Sequence, residues 1–276
     1  MNREAALRDG LVARLERTGI LRSPRIAAAL RSVDRHRFIP DVSAQEAYED
    51  KALALKERGG TVVSSISQPS IIVHMLELLQ VRPNDAVLEI GTGSGYNAAL
   101  LARLAPGGTV VSVEIEPDLL ERARAILDAE GYHRVELTTP ERLGAEGRLF
   151  DRIVVTARSR DIEPQWWRLL APGGRLVVPL DIGYGGERAI GFVRDGHRLY
   201  SIGSYACAFV ALRGVEEAKA EMFFRTPEHR YAGDPGITAS LHVIATEREY
   251  ADGSLLEEAD AVIARPHSLF SVRLTS

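Results

Sequence analysis

The sequence predicts an α/β fold built around a doubly wound, largely parallel sheet. Between residues 86 and 179, short and almost continuously apolar runs alternate with segments of helical periodicity. This alternation is typical of strands that helices cover on both faces. A turn with three alternating glycines, Gly91-Thr92-Gly93-Ser94-Gly95, joins the first of these strands to the next helix. After Pro179, a turn at Asp195-Gly196 separates two apolar runs and predicts a closing antiparallel hairpin.

The N-terminal part of the chain precedes this alternation. Residues 2–19 and 24–36 have apolar residues at helical spacing and predict two amphipathic helices. Residues 41–66 have no periodicity and contain Gly59-Gly60, so we predict a loop-rich segment with functional potential. Pro69 then begins a further helix that ends near Gln80.

The core elements follow in order, and a separate appendage closes the chain. The predicted strands are Ala86–Ile90, Thr109–Val113, Arg134–Thr138, Asp151–Thr156 and Gly174–Pro179, then Arg188–Val193 and Leu199–Leu212. The predicted helices between them are Tyr96–Leu104, Pro117–Glu130 and Glu163–Leu170. Residues 215–276 depart from this pattern and predict an extension of about sixty residues. We therefore divide the chain into residues 1–80, 81–214 and 215–276.

Composition limits the classes of function. The net charge of −4 gives no support to a nucleic-acid or anionic-membrane partner. Cys207 is the only cysteine, which excludes an intramolecular disulfide framework and fits a reducing compartment. No signal peptide or apolar run of membrane-spanning length is evident, and the seven histidines lack the paired spacing of a metal site. We expect a cytoplasmic protein without a bound metal; its oligomeric state is left open.

The glycine turn indicates a nucleotide-like ligand. Glycine lets the backbone pass close to a ligand, and the amides that begin the following helix offer hydrogen-bond donors. Glu114 ends the second strand, where a carboxylate grips the ribose diol in Rossmann-like folds. Glu89, two residues before Gly91, favours a cationic sulfonium ligand over a dinucleotide, whose pyrophosphate it would repel. S-adenosylmethionine is the predicted cofactor, with NAD as the alternative.

Several segments together resemble the protein-L-isoaspartate O-methyltransferase family. The glycine segment Leu88–Tyr96 matches the cofactor loop of that family almost letter for letter, and Ile66-Ser67-Gln68-Pro69-Ser70 resembles its I-S-A-P-H motif. The remaining matches are Val33-Asp34-Arg35, Phe38-Ile39-Pro40, Ala47–Leu53, Glu77-Leu78-Leu79, Leu170–Pro179 and Phe209–Gly214. The glycine loop alone marks a superfamily, whereas the Ile66–Pro69 motif ahead of it is typical of this family. The resemblance covers roughly residues 5–214.

This resemblance implies a Rossmann-like, S-adenosylmethionine-dependent methyltransferase with N-terminal helices, an antiparallel C-terminal hairpin and a small C-terminal appendage. Its substrate would be an aspartate-type carboxylate in a peptide or protein, and the methyl ester would then close to a succinimide. A carboxylate is already anionic at neutral pH, so the transfer needs no general base. Ser67 would orient the acceptor carboxylate. Without the resemblance, an N-cap of the helix begun by Pro69 would be the preferred interpretation of Ser67.

The resemblance assigns further residues to the two halves of the site. Those implied for substrate binding are Tyr48, Asp50, Ser65, Gln68 and Ser70. Those implied for cofactor binding are Glu89, Gly91, Thr92, Gly93, Ser94, Gly95, Glu114, Ile115 and Glu141. Glu141 corresponds to an acidic residue near the adenine, although the G-D-G of the family is Pro140-Glu141-Arg142 here.

The chain departs from the family on the acceptor side. Ser70 replaces the histidine of the motif, the segment between Leu53 and Ile66 is longer and rewritten, and residues 215–276 are additional. Two enzymatic functions remain open. One is repair of isoaspartate in damaged proteins. The other is modification of aspartate in a dedicated precursor peptide, as in the divergent branch that tailors ribosomally made peptides, and the departures favour it. Two other classes are an NAD-dependent oxidoreductase and an inactive S-adenosylmethionine-binding module, which calorimetry with either cofactor would separate.

Overall fold

A parallel sheet with an antiparallel edge organises the chain. The computed structural model describes residues 3–143, 147–182, 186–196 and 198–213, and the backbone of 271–273. The helices are α1 Arg3–Arg17, α2 Pro24–Ser32, α3 Ala44–Ala47, α4 Pro69–Leu79, α5 Tyr96–Leu104, α6 Pro117–Ala129 and α7 Pro164–Leu169. The strands are β1 Leu53–Arg58, β2 Thr61–Ile66, β3 Ala86–Ile90, β4 Thr109–Val113, β5 Val135–Thr138, β6 Phe150–Val155, β7 Leu170–Asp181, β8 Glu187–Asp195, β9 Arg198–Ala206 and β10 Ser271–Arg273.

The strand order confirms the predicted doubly wound sheet with its antiparallel close. The order is β10-β9-β8-β7-β6-β3-β4-β5. Strands β5, β4, β3, β6 and β7 pair in parallel, whereas β7, β8, β9 and β10 pair antiparallel. The chain leaves β3 in one direction to form β4 and returns to the other side of β3 to form β6. Such a reversal opens a crevice at the carboxyl ends of the strands, where open α/β sheets bind ligands.

The N-terminal helices and the core helices bury one face of this sheet. Fully buried leucines of α4 and α5, including Leu79, Leu100 and Leu101, pack in the same cluster as side chains of α1 and α2. The opposite face is covered around Trp166 of α7, which packs in a second cluster with Phe192 of β8. The first helices are therefore an integral layer of the fold. Within the described part of the chain, no helix has the length and apolarity to cross a membrane.

The predicted loop over residues 41–66 is wrong for its second half, which forms a β-hairpin. Strands β1 and β2 pair antiparallel, and Gly59 and Gly60 form their turn with φ of +59° and +78°. Two successive residues with positive φ are typical of the tight type I′ hairpin turn, so the Gly-Gly pair indicated a hairpin. Strand alternation was hard to recognise because the register shifts on either side of Lys56.

The C-terminal boundaries also differ from the prediction. Strand β9 ends at Ala206 instead of Leu212, because the chain then crosses to the end of β6, where the Arg158 amide donates to the Val210 carbonyl at 2.8 Å. Cys207 therefore lies just beyond the strand, and burial raises the pKa of its thiol to about 12. The helix that the sequence predicts over Val215–Phe224 and the strand that it predicts over Ile237–Thr246 lie outside the described residues. Only β10, paired with β9, represents that extension.

Candidate functional site

The glycine turn brings the backbone tightly against β6. Gly91, Gly93 and Gly95 have φ of +101°, +53° and +84°, which side-chain-bearing residues rarely adopt. A Cβ on Gly91 would lie 2.3 Å from Thr156 Oγ1, and that hydroxyl donates to the Gly91 carbonyl at 2.7 Å. The turn therefore requires glycine for both its conformation and its packing.

Two adjoining cavities open beside this turn at the carboxyl ends of β3 and β4. The first, the serine cavity, is lined by residues that include Ser65, Ser67, Glu89, Thr92, Ser94 and Asn97. The second, the carboxylate cavity, is lined by residues that include Val63, Glu114, Ile115, Pro140 and Arg213. Ser65, Gly91, Gly93 and Thr156 belong to both walls. The serine cavity has a volume of about 480 Å³ and the carboxylate cavity one of about 600 Å³, counting space open to solvent. Such volumes suit a small-molecule ligand.

Glu114 presents a fixed carboxylate to the carboxylate cavity. Its Oε2 accepts a hydrogen bond from the Gly93 amide at 2.8 Å. Its Oε1 accepts from the amides of Ile115 and Glu116 at 3.0 and 3.1 Å. These three backbone donors hold the side chain where β4 ends, and a carboxylate has lone pairs left for further donors. Hydroxyl groups of a ligand in this cavity would find a preorganised acceptor.

Glu89 supplies a carboxyl group to the serine cavity, as Glu114 does to the carboxylate cavity. It is fully buried and accepts from Asn97 Nδ2 at 2.8 Å and from Ser112 Oγ at 2.5 Å. Burial raises the pKa of Glu89 to about 7, although both hydrogen bonds oppose the shift. A cationic ligand beside it would favour the ionised form. Asn97 and Ser112 were absent from the sequence-based site, since no spacing links them to Glu89.

Ser67 lies between β2 and α4 and lines the serine cavity. The interpretation of Ser67 as an N-cap is wrong, because α4 is capped at Gln68, without a side-chain bond. Instead, Asp50 Oδ1 accepts from the amide of Ser70 at 2.8 Å and satisfies a donor of the first helical turn. The Ser67 hydroxyl has no hydrogen-bond partner among the described residues and is available to a ligand.

The structure does not bring every predicted site residue to the cavities. Tyr48 is buried among the N-terminal helices, where its hydroxyl lies 3.0 Å from His36 Nδ1, and burial raises its pKa. Asp50, Gln68 and Ser70 cap or begin α4 without lining either cavity, and Gly95 serves as the N-cap of α5.

Glu141 also lies away from both cavities. It is exposed in the short 3₁₀ helix Pro140–Arg142, and a hydrogen bond with Thr139 lowers the pKa of its carboxyl. The neighbouring Pro140 and Ile115 line the carboxylate cavity in its place. The adenine contact of Glu141 stays a prediction, although its side chain does not line either cavity.

The β1–β2 hairpin lines the carboxylate cavity and is held in place by ion pairs. The sequence-based site did not include the charged residues that form them. Lys56 Nζ lies 2.5 Å from Glu116 Oε2 and 2.6 Å from Asp118 Oδ1, and Arg58 Nη2 lies 3.0 Å from Glu116. Arg213 also donates to Glu116, and its Nη2 donates to the Val63 carbonyl at 3.2 Å. We call these five charged residues the latch. They join the hairpin, the start of α6 and the segment after β9.

The latch predicts an acid-sensitive contribution to stability. Hydrogen bonds from Lys56 and Arg213 lower the pKa of Glu116 to about 2. A depressed folded-state pKa stabilises the protein above the unfolded-state pKa of about 4.5 and loses this effect as the pH falls towards 2. Solvent screens the exposed partners, so Glu116→Gln should lower the free energy of unfolding by only about 1 kcal/mol at pH 7.

Urea unfolding of wild type and Glu116→Gln between pH 7 and pH 3 measures this contribution. The difference should shrink below about pH 4.5. Glu121→Gln, an exposed position on the same helix, is the matched control and should show no such trend. If the free energies of unfolding of wild type and Glu116→Gln differ by the same amount at every pH, the proposed role of the latch is contradicted.

Comparisons with known proteins agree with this architecture. The family model "Protein-L-isoaspartate(D-aspartate) O-methyltransferase" matches residues 6–217. A relative from Methanopyrus kandleri, named protein-L-isoaspartate O-methyltransferase, is 38% identical over 215 residues, covering 76% of this chain and 92% of the relative. A protein of the same name from Methanoculleus marisnigri is 44% identical over 160 residues, covering 56% and 69% of the two chains.

Two solved structures share the fold over three quarters of this chain. One, described as a protein-L-isoaspartate O-methyltransferase, has a TM-score of 0.67 and 28% identity over 75% of this chain and 66% of its own. The other is a putative protein-L-isoaspartate O-methyltransferase from Plasmodium falciparum in complex with S-adenosyl-L-homocysteine. It has a TM-score of 0.65 and 20% identity, covering 75% of this chain and 98% of its own.

Proposed function

The chain belongs to the protein-L-isoaspartate O-methyltransferase family, and from this premise we propose that it methylates the α-carboxylate of isoaspartate in peptides and proteins. Enzymes of this family are carboxyl methyltransferases that use S-adenosylmethionine, so the enzyme class and the cofactor follow from membership. The observation that carries the acceptor assignment is the partner-free hydroxyl of Ser67 in a cavity that adjoins the glycine turn.

The residues around the turn fit S-adenosylmethionine. Glu114 would hold the ribose hydroxyls, and the tight glycine backbone leaves room for the amino-acid part of the cofactor beside Glu89. When bound, the cofactor supplies an activated methyl group on a sulfonium. A dinucleotide fits less well, because its pyrophosphate would face the carboxyl group of Glu89 beside the glycine turn. This argues against the NAD-dependent alternative.

The protein's own contribution is alignment of the acceptor and exclusion of water. The Ser67 hydroxyl would donate to one oxygen of the acceptor carboxylate and leave the other oxygen free to attack the methyl group. Ile72, Met75 and Leu76 of α4 form an apolar part of the same wall and are at most 5% exposed. Because the acceptor is already anionic, its alignment beside this apolar wall accounts for catalysis without a general base.

The family relatives favour repair over tailoring of a precursor peptide. The relatives reported above are named for isoaspartate, and none is named for a precursor. Two of the departures that favoured tailoring have structural explanations. Ser70 is 5% exposed and lines neither cavity, and the rewritten segment forms the latched hairpin. The earlier preference for a dedicated precursor therefore gains no support, and we propose isoaspartate as the acceptor.

A methyl-transfer assay with matched peptides tests this proposal. Two short peptides differ only in carrying isoaspartate or aspartate at one position, and mass spectrometry follows each with S-adenosylmethionine and the enzyme. We expect one added methyl group, or the succinimide formed from the ester, on the isoaspartyl peptide alone. Transfer to the aspartyl peptide, or to neither peptide despite measured cofactor binding, would overturn the repair function. If neither peptide is methylated, a dedicated precursor substrate or an inactive cofactor-binding module would explain the absence of transfer.

A further inference from the structure

Arg35 is a fully buried guanidinium that lacks an ion-pair partner. Its exposed fraction is 0%, and no carboxylate of the described residues lies within 4.0 Å of it. Nε donates to the Ala47 carbonyl at 2.9 Å, and Nη2 donates to the Ser67 carbonyl at 3.0 Å. Nη1 has no hydrogen-bond partner within the described part of the chain. An unpaired charge in the protein interior is costly, so this position calls for an explanation.

The guanidinium lies directly behind the serine cavity. It bonds to the backbone of Ser67, and its Cζ lies 5.2 Å from the centroid of the Tyr96 ring. Ser67 and Tyr96 are both part of the cavity wall. Burial lowers the pKa of Arg35 to about 10, which still leaves the group charged at neutral pH. A positive charge therefore contacts two residues of the wall of the proposed acceptor site.

We propose that Arg35 is a positioning and specificity-determining residue: it fixes Ser67 through the carbonyl and its charge draws the acceptor carboxylate into the serine cavity. The inference rests on the proposed function, because it assumes an anionic acceptor at Ser67. Electrostatic attraction through the protein interior is stronger than through water, because the interior screens charges less. Asp50 acts on this guanidinium electrostatically but from beyond ion-pair distance. The Nη1 group, which has no hydrogen-bond partner among the described residues, fits this assignment.

The same charge has an opposite effect on the cofactor. S-adenosylmethionine carries a positive sulfonium, whereas S-adenosylhomocysteine, the product after methyl transfer, does not. A buried cation beside the serine cavity therefore disfavours the former relative to the latter. The ratio of the two affinities reports the charge of Arg35 without any peptide, so it tests the electrostatic claim independently of the acceptor.

Three variants separate charge from structure. Arg35→Gln removes the charge and keeps hydrogen-bond donors, and Arg35→Lys keeps the charge with different donors. Arg25→Gln is the matched control, because Arg25 also donates to two carbonyls, those of Val81 at 2.7 Å and Leu104 at 2.5 Å. Those carbonyls follow α4 and end α5, about one helix length from Ser67. Binding of S-adenosylhomocysteine verifies that each variant is folded.

The decisive measurement compares binding of an isoaspartyl peptide with that of its carboxamide analogue, in the presence of S-adenosylhomocysteine. Arg35→Gln should reduce the preference for the carboxylate by roughly ten-fold, while Arg35→Lys and Arg25→Gln should retain it. Equal weakening of both peptides would assign Arg35 a purely structural role and overturn the proposal. Arg35→Lys replaces Arg35→Gln in this test if the glutamine variant does not fold. Loss of the preference for the carboxylate peptide in a folded Arg35→Lys variant would also overturn the proposal.

The cofactor ratio distinguishes failure of this inference from failure of the proposed function. Arg35→Gln should shift the affinity ratio towards S-adenosylmethionine by several-fold relative to wild type. A shift in that ratio together with a wild type that binds neither peptide would contradict the isoaspartate function but retain the electrostatic role. If Arg35→Gln changes neither the ratio of cofactor affinities nor the preference for the carboxylate peptide, the role of Arg35 is refuted and the proposed function stands.

Discussion

Replacing Ser67 by alanine should reduce kcat/KM for an isoaspartyl peptide by on the order of 100-fold and leave the affinity for S-adenosylmethionine nearly unchanged. The hydroxyl lines the serine cavity and has no hydrogen-bond partner among the described residues. Its loss removes the donor that aligns the acceptor oxygen, and the cofactor contacts of Glu114 and the glycine turn remain. Initial-rate kinetics and calorimetry measure the two effects separately.

Ser70→Ala is the matched control for this variant. Ser70 lies three residues further along the chain, is buried, and contributes a backbone amide rather than its hydroxyl to the contact with Asp50. The alanine variant should keep turnover close to that of wild type. Full turnover by Ser67→Ala would remove Ser67 from the mechanism, and equal losses in both variants would indicate general damage to the start of α4.

Replacing Glu114 by alanine should weaken binding of S-adenosylmethionine by about 1–3 kcal/mol, which is the usual loss for a charged hydrogen-bond partner. The carboxylate lines the cavity and is held by three backbone amides, so it is preorganised for ligand hydroxyls. The substitution also leaves those amides without their acceptor. Calorimetric titration gives the affinity, and thermal unfolding measures the accompanying loss of stability.

Glu114→Gln separates the two consequences of this change. Glutamine keeps one carbonyl oxygen for the backbone amides and loses the negative charge, so cofactor affinity should lie between those of wild type and Glu114→Ala. Ile115→Ala alters the neighbouring apolar wall of the same cavity without touching a carboxylate. Unchanged affinity in Glu114→Ala would refute the assignment of this residue to the ribose.

The core of the fold was predictable because its strands are buried on both faces. Ala86–Ile90 and Thr109–Val113 have the same bounds in the prediction and in the structure. Their neighbours differ by only a few residues. Continuous apolar runs between helical segments have few other interpretations, and the glycine turn fixes the junction between β3 and α5. The same turn and the strand ends located Glu89 and Glu114, which line the cavities as expected.

The contacts between distant segments were not predictable in this way. Lys56 and Glu116 are sixty residues apart in the chain, and only the hairpin brings them together. Arg35 lies in the charged run Asp34-Arg35-His36-Arg37, and the 3₁₀ helix Arg35–Phe38 directs its side chain into the interior. Periodicity describes elements one at a time, whereas such pairs depend on how the elements pack.

A crystal structure with S-adenosylhomocysteine and an isoaspartyl peptide tests the central claim most directly, namely that donor and acceptor meet between the glycine turn and Ser67. We predict the ribose hydroxyls within hydrogen-bond distance of Glu114 and an oxygen of the isoaspartyl α-carboxylate within hydrogen-bond distance of Ser67 Oγ. A peptide carboxylate bound away from Ser67, with the cofactor product in place, would contradict this assignment of the active site.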